Sequence, residues 1–251
     1  MNTVGILGGM GPAAGADFVR LFVRACAAYL RTSGQPVRDQ SFPEHWLAQV
    51  PVPDRSLALH DTQPGAHQPF DPMLQALGRL AALGVRSVAI ACNTAHAWHA
   101  SLQARFPQLE LLHIADEVAT LLQSQGVRAV SLMATEGTYS TGLYEVALRQ
   151  RGIACHLPNS AERVMITRGI FEGVKADQPR IAFECFSTVA QQLASRHIDA
   201  PVIMGCTEIP LGLLGAGKTH ELKLIDPAFV LASCLAARAY GQVEVASRVP
   251  R

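Results

Sequence analysis

Charged residues are scarce in this 251-residue chain, at 16% of positions, and they nearly cancel to a formal net charge of +1. No run of Lys or Arg occurs, so the clustered positive face that grips phosphate backbones or anionic lipid is missing. The expected partner is a small molecule, with no nucleic acid and no membrane. No stretch of 18 uninterrupted apolar residues is present, and so no spanning helix is expected. The start, Met1-Asn2-Thr3-Val4-Gly5-Ile6-Leu7-Gly8-Gly9, lacks a positively charged flank and turns into glycines too early for an export signal. It reads as a buried first strand.

Paired cysteines are also missing. The six thiols, Cys26, Cys92, Cys155, Cys185, Cys206 and Cys234, form no C-x-x-C, and their wide spacing suggests neither a zinc knuckle nor a disulfide framework. Without an export signal the expected compartment is the reducing cytoplasm, where each thiol is either a small buried apolar group or a chemical one. No His/Asp/Glu cluster has metal-site spacing, so no metal is expected.

Apolar residues are plentiful, at 49%, enough for one large core or for two lobes. Short apolar runs at Val4–Leu7, Val85–Ala91, Val127–Met133 and Pro201–Met204 read as strands buried on both faces. Between them, Gly15–Leu30, Pro72–Leu83, Asp116–Gln123, Thr141–Arg151 and Gln178–Ser195 carry helical periodicity, and Pro227–Ala239 forms a last helix. This alternation predicts an α/β protein with parallel sheets flanked by helices. Long irregular connections are expected at Thr32–Phe42 and Asp61–Asp71.

The two halves also resemble each other. In the first, an apolar strand enters the glycine turn Gly8-Gly9-Met10-Gly11, and a later helix and strand lead into Ala91-Cys92-Asn93-Thr94. In the second, Ala129–Met133 enters Ala134-Thr135-Glu136-Gly137-Thr138, and a helix and strand lead into Gly205-Cys206-Thr207-Glu208. Two similar lobes are expected, with the active site in the cleft between them. Residues 1–113 with 226–251 would make the first lobe and residues 114–225 the second.

Each cysteine box places a thiol between the carboxyl end of a strand and the start of a helix, where open α/β sheets bind ligands. Free backbone N–H groups at such a helix start favour a thiolate and an anionic substrate carboxylate. Thr94 and Thr207 taken singly read as helix caps. Two thiols in equivalent places are harder to explain as packing. Inverting a stereocentre by proton transfer needs a base on one face of Cα and an acid on the other. One thiolate and one thiol supply both, and an ordinary cysteine pKa of about 8.5 needs only modest tuning for this. The barrier is demanding. A turnover of about 10 per second corresponds to about 16 kcal/mol. Hydrogen bonds and cations must therefore stabilise the carbanion as it forms.

Val88-Ala89-Ile90-Ala91-Cys92-Asn93-Thr94-Ala95-His96 and Val202-Ile203-Met204-Gly205-Cys206-Thr207-Glu208-Ile209-Pro210-Leu211 closely resemble the two signature boxes of the aspartate/glutamate racemase family. The opening Gly5-Ile6-Leu7-Gly8-Gly9-Met10-Gly11-Pro12 is similar to the start of its aspartate-racemase branch. Pro53-Asp54-Arg55, Gly137-Thr138, Ser140-Thr141-Gly142-Leu143-Tyr144 and Arg168–Lys175 match in the same order. His96, Glu208 and the Gly-Gly-Met-Gly turn each favour the aspartate over the glutamate branch.

The resemblance implies a cofactor-independent isomerase, active without pyridoxal phosphate, that interconverts L- and D-aspartate and forms a homodimer. Cys92 and Cys206 would be the acid/base pair, with Cys206 removing the α-proton from the L-enantiomer and Cys92 from the D-enantiomer. Met10, Asn93, Thr94, Thr138 and Thr207 would lie near the substrate carboxylates or ammonium. Arg55 and Lys175 would be cations for the second carboxylate, and the residue types suit that role, since Arg grips a carboxylate bidentately and Lys acts as a point charge. Either alone reads equally as a solvated surface cation. Glu208 reads either as a hydrogen-bonding group beside the thiol or ammonium, or as a carboxylate complementing a helix start. Ser56 departs from the Thr that often follows Pro-Asp-Arg in the family. The segment Leu59–Phe70, with His60 and His67, matches no family pattern, and its histidines read as loop residues.

Rival readings stay open. Gly9-x-Gly11-x-x-Ala14 fits a dinucleotide fingerprint, but the acidic residue expected about 20 positions on is not clear, since Asp39 falls in a polar loop. Glutamate or broad-specificity racemases, maleate isomerase-like and hydantoin racemase-like enzymes also use two cysteines, whereas related malonate decarboxylases keep one. A ligand sensor on the same scaffold would not need both thiols.

Overall fold

The structure, a computed structural model, describes residues 1–61, 68–214 and 222–242. The chain divides into two compact units, one taking Met1–Glu117 and the chain from Ala228, the other Val118–Pro227.

The first unit runs β1 (Val4–Gly8), α1 (Pro12–Thr32), β2 (His45–Gln49), α2 (Arg55–His60), α3 (Phe70–Ala82), β3 (Ser87–Ile90), a 3-10 segment (Thr94–Trp98), α4 (His99–Arg105) and β4 (Glu110–Leu111). Helix α5 (Ile114–Ser124) carries the chain into the second unit. There follow β5 (Ala129–Ala134), α6 (Glu136–Thr141), α7 (Leu143–Arg149), β6 (Ala154–His156), α8 (Ser160–Arg168), a π-helical segment (Gly169–Val174), α9 (Pro179–Arg196), β7 (Val202–Gly205), α10 (Glu208–Leu214) and β8 (Leu224–Ile225). Helix α11 (Pro227–Ala239) returns to the first unit.

Each unit holds a four-stranded sheet, ordered β2-β1-β3-β4 in the first and β6-β5-β7-β8 in the second. Every pairing is parallel. The two orders are the same pattern: the first strand of each unit lies between its second and third. β1, β3 and β7 are buried at every residue, as continuous apolar runs in a helix-covered parallel sheet should be.

Local sequence explains the helices that flank these strands. Gly11 is an extended N-cap, Pro12 opens α1, and the buried face Ala14, Phe18, Leu21, Phe22 and Ala25 follows a helical period. In the first core Leu7, Val88 and Ile90 of the sheet pack with Met73, Leu77 and Leu80 of α3. In the second, Met133, Val202 and Met204 pack with Phe186, Val189 and Leu193 of α9. Asn159 and Glu162 form a reciprocal capping box at the start of α8.

The segment Thr141–Arg151, expected as one helix, is two. Gly142 adopts φ 62°, a left-handed conformation that ends α6 before α7 begins. β2, β4, β6 and β8 were not anticipated. β2 is an edge strand with exposed Trp46 and Leu47, and the other three have two or three residues each, too few for a periodic signal. Of the loop Asp61–Asp71, residues 62–67, including His67, lie outside the described residues.

Candidate functional site

In the first unit the expected site residues emerge from the carboxyl ends of neighbouring strands. Leu7 of β1 pairs with Ile90 of β3, and Gly8 of β1 with Gln49 of β2. Met10, Cys92 and Arg55 therefore follow the same edge of one sheet. Gly9 makes the β1 exit possible. Its φ is +97°, and a Cβ there would fall 2.1 Å from the Val50 carbonyl oxygen, so only glycine fits.

The Arg55 guanidinium is joined to this edge. Its Nη2 donates to the Met10 carbonyl at 2.7 Å, and Nη1 donates to the carbonyls of Val52 and Pro53 at 3.2 and 3.1 Å. Its Nε is buried with no hydrogen-bond partner among the described residues. The Asp54 carboxylate caps α2 by accepting from the Leu57 amide at 2.9 Å, which sets Arg55 at the first helical position.

Beyond β3 the chain turns at once. Cys92, Asn93, Thr94 and His96 are all buried, at 3–5% exposure, and a 3-10 segment of five residues follows. The His96 Nδ1 lies 2.9 Å from the Cys92 carbonyl oxygen and 3.2 Å from that of Asn93. Carbonyl oxygens only accept, so Nδ1 carries the hydrogen. Burial, with the neighbouring His113 and His99 rings, holds the His96 pKa down at about 3, so the ring is neutral. In the sequence His96 stands out only as a branch marker. Its spacing of four residues from Cys92 was the available signal for its place in this turn.

In the second unit Ala134 of β5 pairs with Gly205 of β7, so Thr138 and Cys206 also follow one sheet edge. Thr135 caps α6, its hydroxyl accepting from the Thr138 amide at 3.3 Å and lying 3.1 Å from the Thr138 hydroxyl. Tyr139 braces the exit of β5: its hydroxyl accepts from the Ala134 amide at 2.7 Å and donates to the Leu132 carbonyl. Cys206, Thr207 and Glu208 are buried together. The Cys206 thiol donates to Glu208 Oε2 at 3.0 Å, and the Thr207 hydroxyl donates to the same oxygen at 3.1 Å. The Thr207 hydroxyl thus turns toward the Glu208 side chain.

Lys175 is placed differently. It is exposed and follows the π-helical segment, with Nζ 4.2 Å from the Phe171 ring centroid. That segment packs against α9 and α10. The approach is close, since a Cβ on Gly173 would fall 2.7 Å from the Ala182 backbone. Lys175 therefore belongs to the helical layer that supports the Cys206 turn.

None of the six cysteines is in a disulfide. Burial pushes Cys26 and Cys155 up to about 12, and raises Cys185 and Cys234 as well, which leaves these four as neutral packing groups. Among the described residues no group of three or more His, Cys, Asp or Glu could hold a metal ion, and no helix is long and apolar enough to cross a membrane.

Two parallel α/β units of one strand order, each with a cysteine turn beyond its third strand, define a two-unit α/β protein of repeated design. The family model described as Asp/Glu/Hydantoin racemase matches residues 7–235. The chain belongs to that family. It is 27% identical over 152 residues to the broad specificity amino-acid racemase RacX of Bacillus subtilis, a match covering 59% of this chain and 61% of that relative. The Picrophilus torridus aspartate racemase superposes with a TM-score of 0.74 at 25% identity, covering 96% of this chain and 95% of the other. The glutamate racemase of Francisella tularensis shares the fold at 17% identity, with a TM-score of 0.58 over 95% of this chain and 81% of the other.

Proposed function

We propose that this protein is an amino-acid racemase that interconverts L- and D-aspartate by proton transfer at Cα, with Cys92 and Cys206 as its two acid/base groups. The observation that carries this reading is the repeated placement of the two thiols. Each stands just beyond the third strand of a sheet of identical order, and each is followed by a buried hydroxyl-bearing neighbourhood.

In this reading one thiolate takes the α-proton from one face of the substrate and the other thiol returns a proton to the opposite face. Reversing the direction exchanges the roles. Asn93, Thr94, Thr138, Thr207 and the Met10 turn supply hydrogen-bonding groups for the α-carboxylate and ammonium. Arg55 and Lys175 serve the second carboxylate. Support for Arg55 comes from its unmatched, buried Nε at an edge where its other nitrogens are already engaged. Substrate charge on that side would complete the guanidinium fork.

Racemase relatives with aspartate, glutamate and broad-specificity names set the range of substrates to be compared. Aspartate is favoured because this chain carries the aspartate-branch features His96, Glu208 and the Gly-Gly-Met-Gly turn. The same reading takes the protein to be a cytoplasmic homodimer that needs no added cofactor.

The test is chiral chromatography of aspartate incubated with purified protein after dialysis against a chelator. Interconversion without added pyridoxal phosphate, metal or nucleotide is expected. Activity only on adding one of these would overturn the mechanism, and faster turnover of a neutral amino acid would overturn the substrate.

A further inference from the structure

We infer that Glu208 keeps Cys206 protonated in the free protein, so that Cys206 is the resting acid and Cys92 the resting base. This deepens the two-thiol reading and rests on it. The geometry gives the proton a single place between the two groups: Cys206 Sγ lies 3.0 Å from Glu208 Oε2, and both residues are buried. A carboxyl group ordinarily titrates near 4.3 and a thiol near 8.5, so a proton shared between them stays on sulfur. The Thr207 hydroxyl donates to the same Oε2 at 3.1 Å, so this oxygen accepts from both neighbours.

A thiolate at Cys206 would face this carboxylate at hydrogen-bond distance with no proton between them. Like charges so placed disfavour ionisation of the thiol. The same pairing recurs elsewhere in the chain. Cys234 donates to Glu117 Oε2 at 3.2 Å, and there, after burial, the Glu117 charge and hydrogen bond both raise the thiol pKa. Tyr144 of α7 is in electrostatic reach of Cys206. Burial, Asp226 and Cys206 keep its phenol well above its usual range, so it stays neutral. Met133, Ile166 and Ile209 belong to the same apolar cluster as Cys206.

The chemical consequence is directional. Family resemblance assigns Cys92 to the D-enantiomer, so the resting form is the one that accepts D-substrate. The Cys92 thiolate takes the α-proton: the C–H bond breaks, S–H forms, and the electron pair stays on Cα. Cα then takes the proton from Cys206 S–H on its other face, giving L-substrate and a Cys206 thiolate. Return to the resting form needs Cys92 to release a proton to water and Cys206 to regain one. Glu208 acts through Cys206 and is thus a positioning residue.

The experiment is iodoacetamide labelling of the full chain from pH 6 to 10, with peptide mapping by mass spectrometry. Each cysteine's rate is normalised to its own high-pH plateau, which cancels differences in access. In the wild type at pH 7, Cys92 is expected to label at a larger fraction of its plateau than Cys206. In Glu208→Gln the Cys206 profile is expected to move to lower pH, and Glu208→Asp to move it back. One pKa unit gives about ten-fold more thiolate, and since weaker nucleophilicity lowers the plateau in the same proportion, the normalised rate at pH 7 rises about ten-fold. Should Glu208→Gln fail to fold, the wild-type order alone decides. Cys206 leading in the wild type, or an unmoved Cys206 profile in folded Glu208→Gln, overturns the assignment. Racemisation is assayed on the same wild-type sample. Its absence would defeat the two-thiol reading, while the labelling order still reports where the proton rests.

Discussion

The imidazole of His96 holds the turn that presents Cys92, with Nδ1 at 2.9 Å from the Cys92 carbonyl oxygen inside a buried pocket shared with His99 and His113. The ring works as a neutral donor, and its pKa of about 3 has a consequence for stability. An unfolded chain binds a proton at this histidine below about 6.5, and the folded chain does not until about 3. The folded state is therefore favoured fully above 6.5 and loses that contribution as pH falls toward 3.

His96→Gln should flatten the loss of stability between pH 6.5 and 4 relative to the wild type. One proton taken up on unfolding corresponds to about 1.4 kcal/mol per pH unit. Urea melts of both proteins across that range measure the difference. Parallel curves would show that the imidazole titrates normally in the folded chain.

Gly173→Ala should destabilise the second unit. The added Cβ would meet the Ala182 backbone at 2.7 Å, so the π-helical segment or α9 must move. Overpacking of this kind costs about 1–3 kcal/mol. A lower urea midpoint, with a rise in KM for aspartate as Lys175 shifts, is the expected outcome. An unchanged midpoint would mean that the two segments separate easily.

Arg55→Ala and Lys175→Ala should each impair dicarboxylate turnover far more than folding. Removing a charged partner from a desolvated site costs about 2–5 kcal/mol, a range that applies to half-buried Arg55, while exposed Lys175 should lose less. Arg55→Ala also frees the Met10 carbonyl, so thermal melts are needed beside the kinetics. If both variants keep wild-type kinetics, these cations lie outside the site and a neutral substrate becomes the better reading.

The central strands were legible in the sequence because burial on both faces writes a continuous apolar run. The structure places β1, β3, β5 and β7 within two residues of the runs read as Val4–Leu7, Val85–Ala91, Val127–Met133 and Pro201–Met204. The edge strands were not legible, for β4 and β8 have two residues each and β2 alternates irregularly. Gly142 looked tolerable inside a helix, and only its positive φ shows that it ends one. Within the candidate site, the cysteine boxes were visible as spacing after a strand. The hydrogen bonds from Cys206 to Glu208 and from Arg55 to Met10 were not, since local rotamers and strand register decide both.

The most direct measurement is α-hydrogen exchange in D₂O by the single cysteine variants, read by mass spectrometry after short incubation and chiral separation. A serine keeps size and a hydrogen-bonding group but is far too weakly acidic to replace a thiol, so net racemisation should be lost in both Cys92→Ser and Cys206→Ser. Proton abstraction can survive where the remaining thiolate faces the right enantiomer. The two-thiol mechanism predicts that Cys92→Ser retains residual exchange preferentially with L-aspartate, and Cys206→Ser with D-aspartate. Opposite preferences would reverse the assignments, and full racemisation by either variant would contradict the mechanism itself.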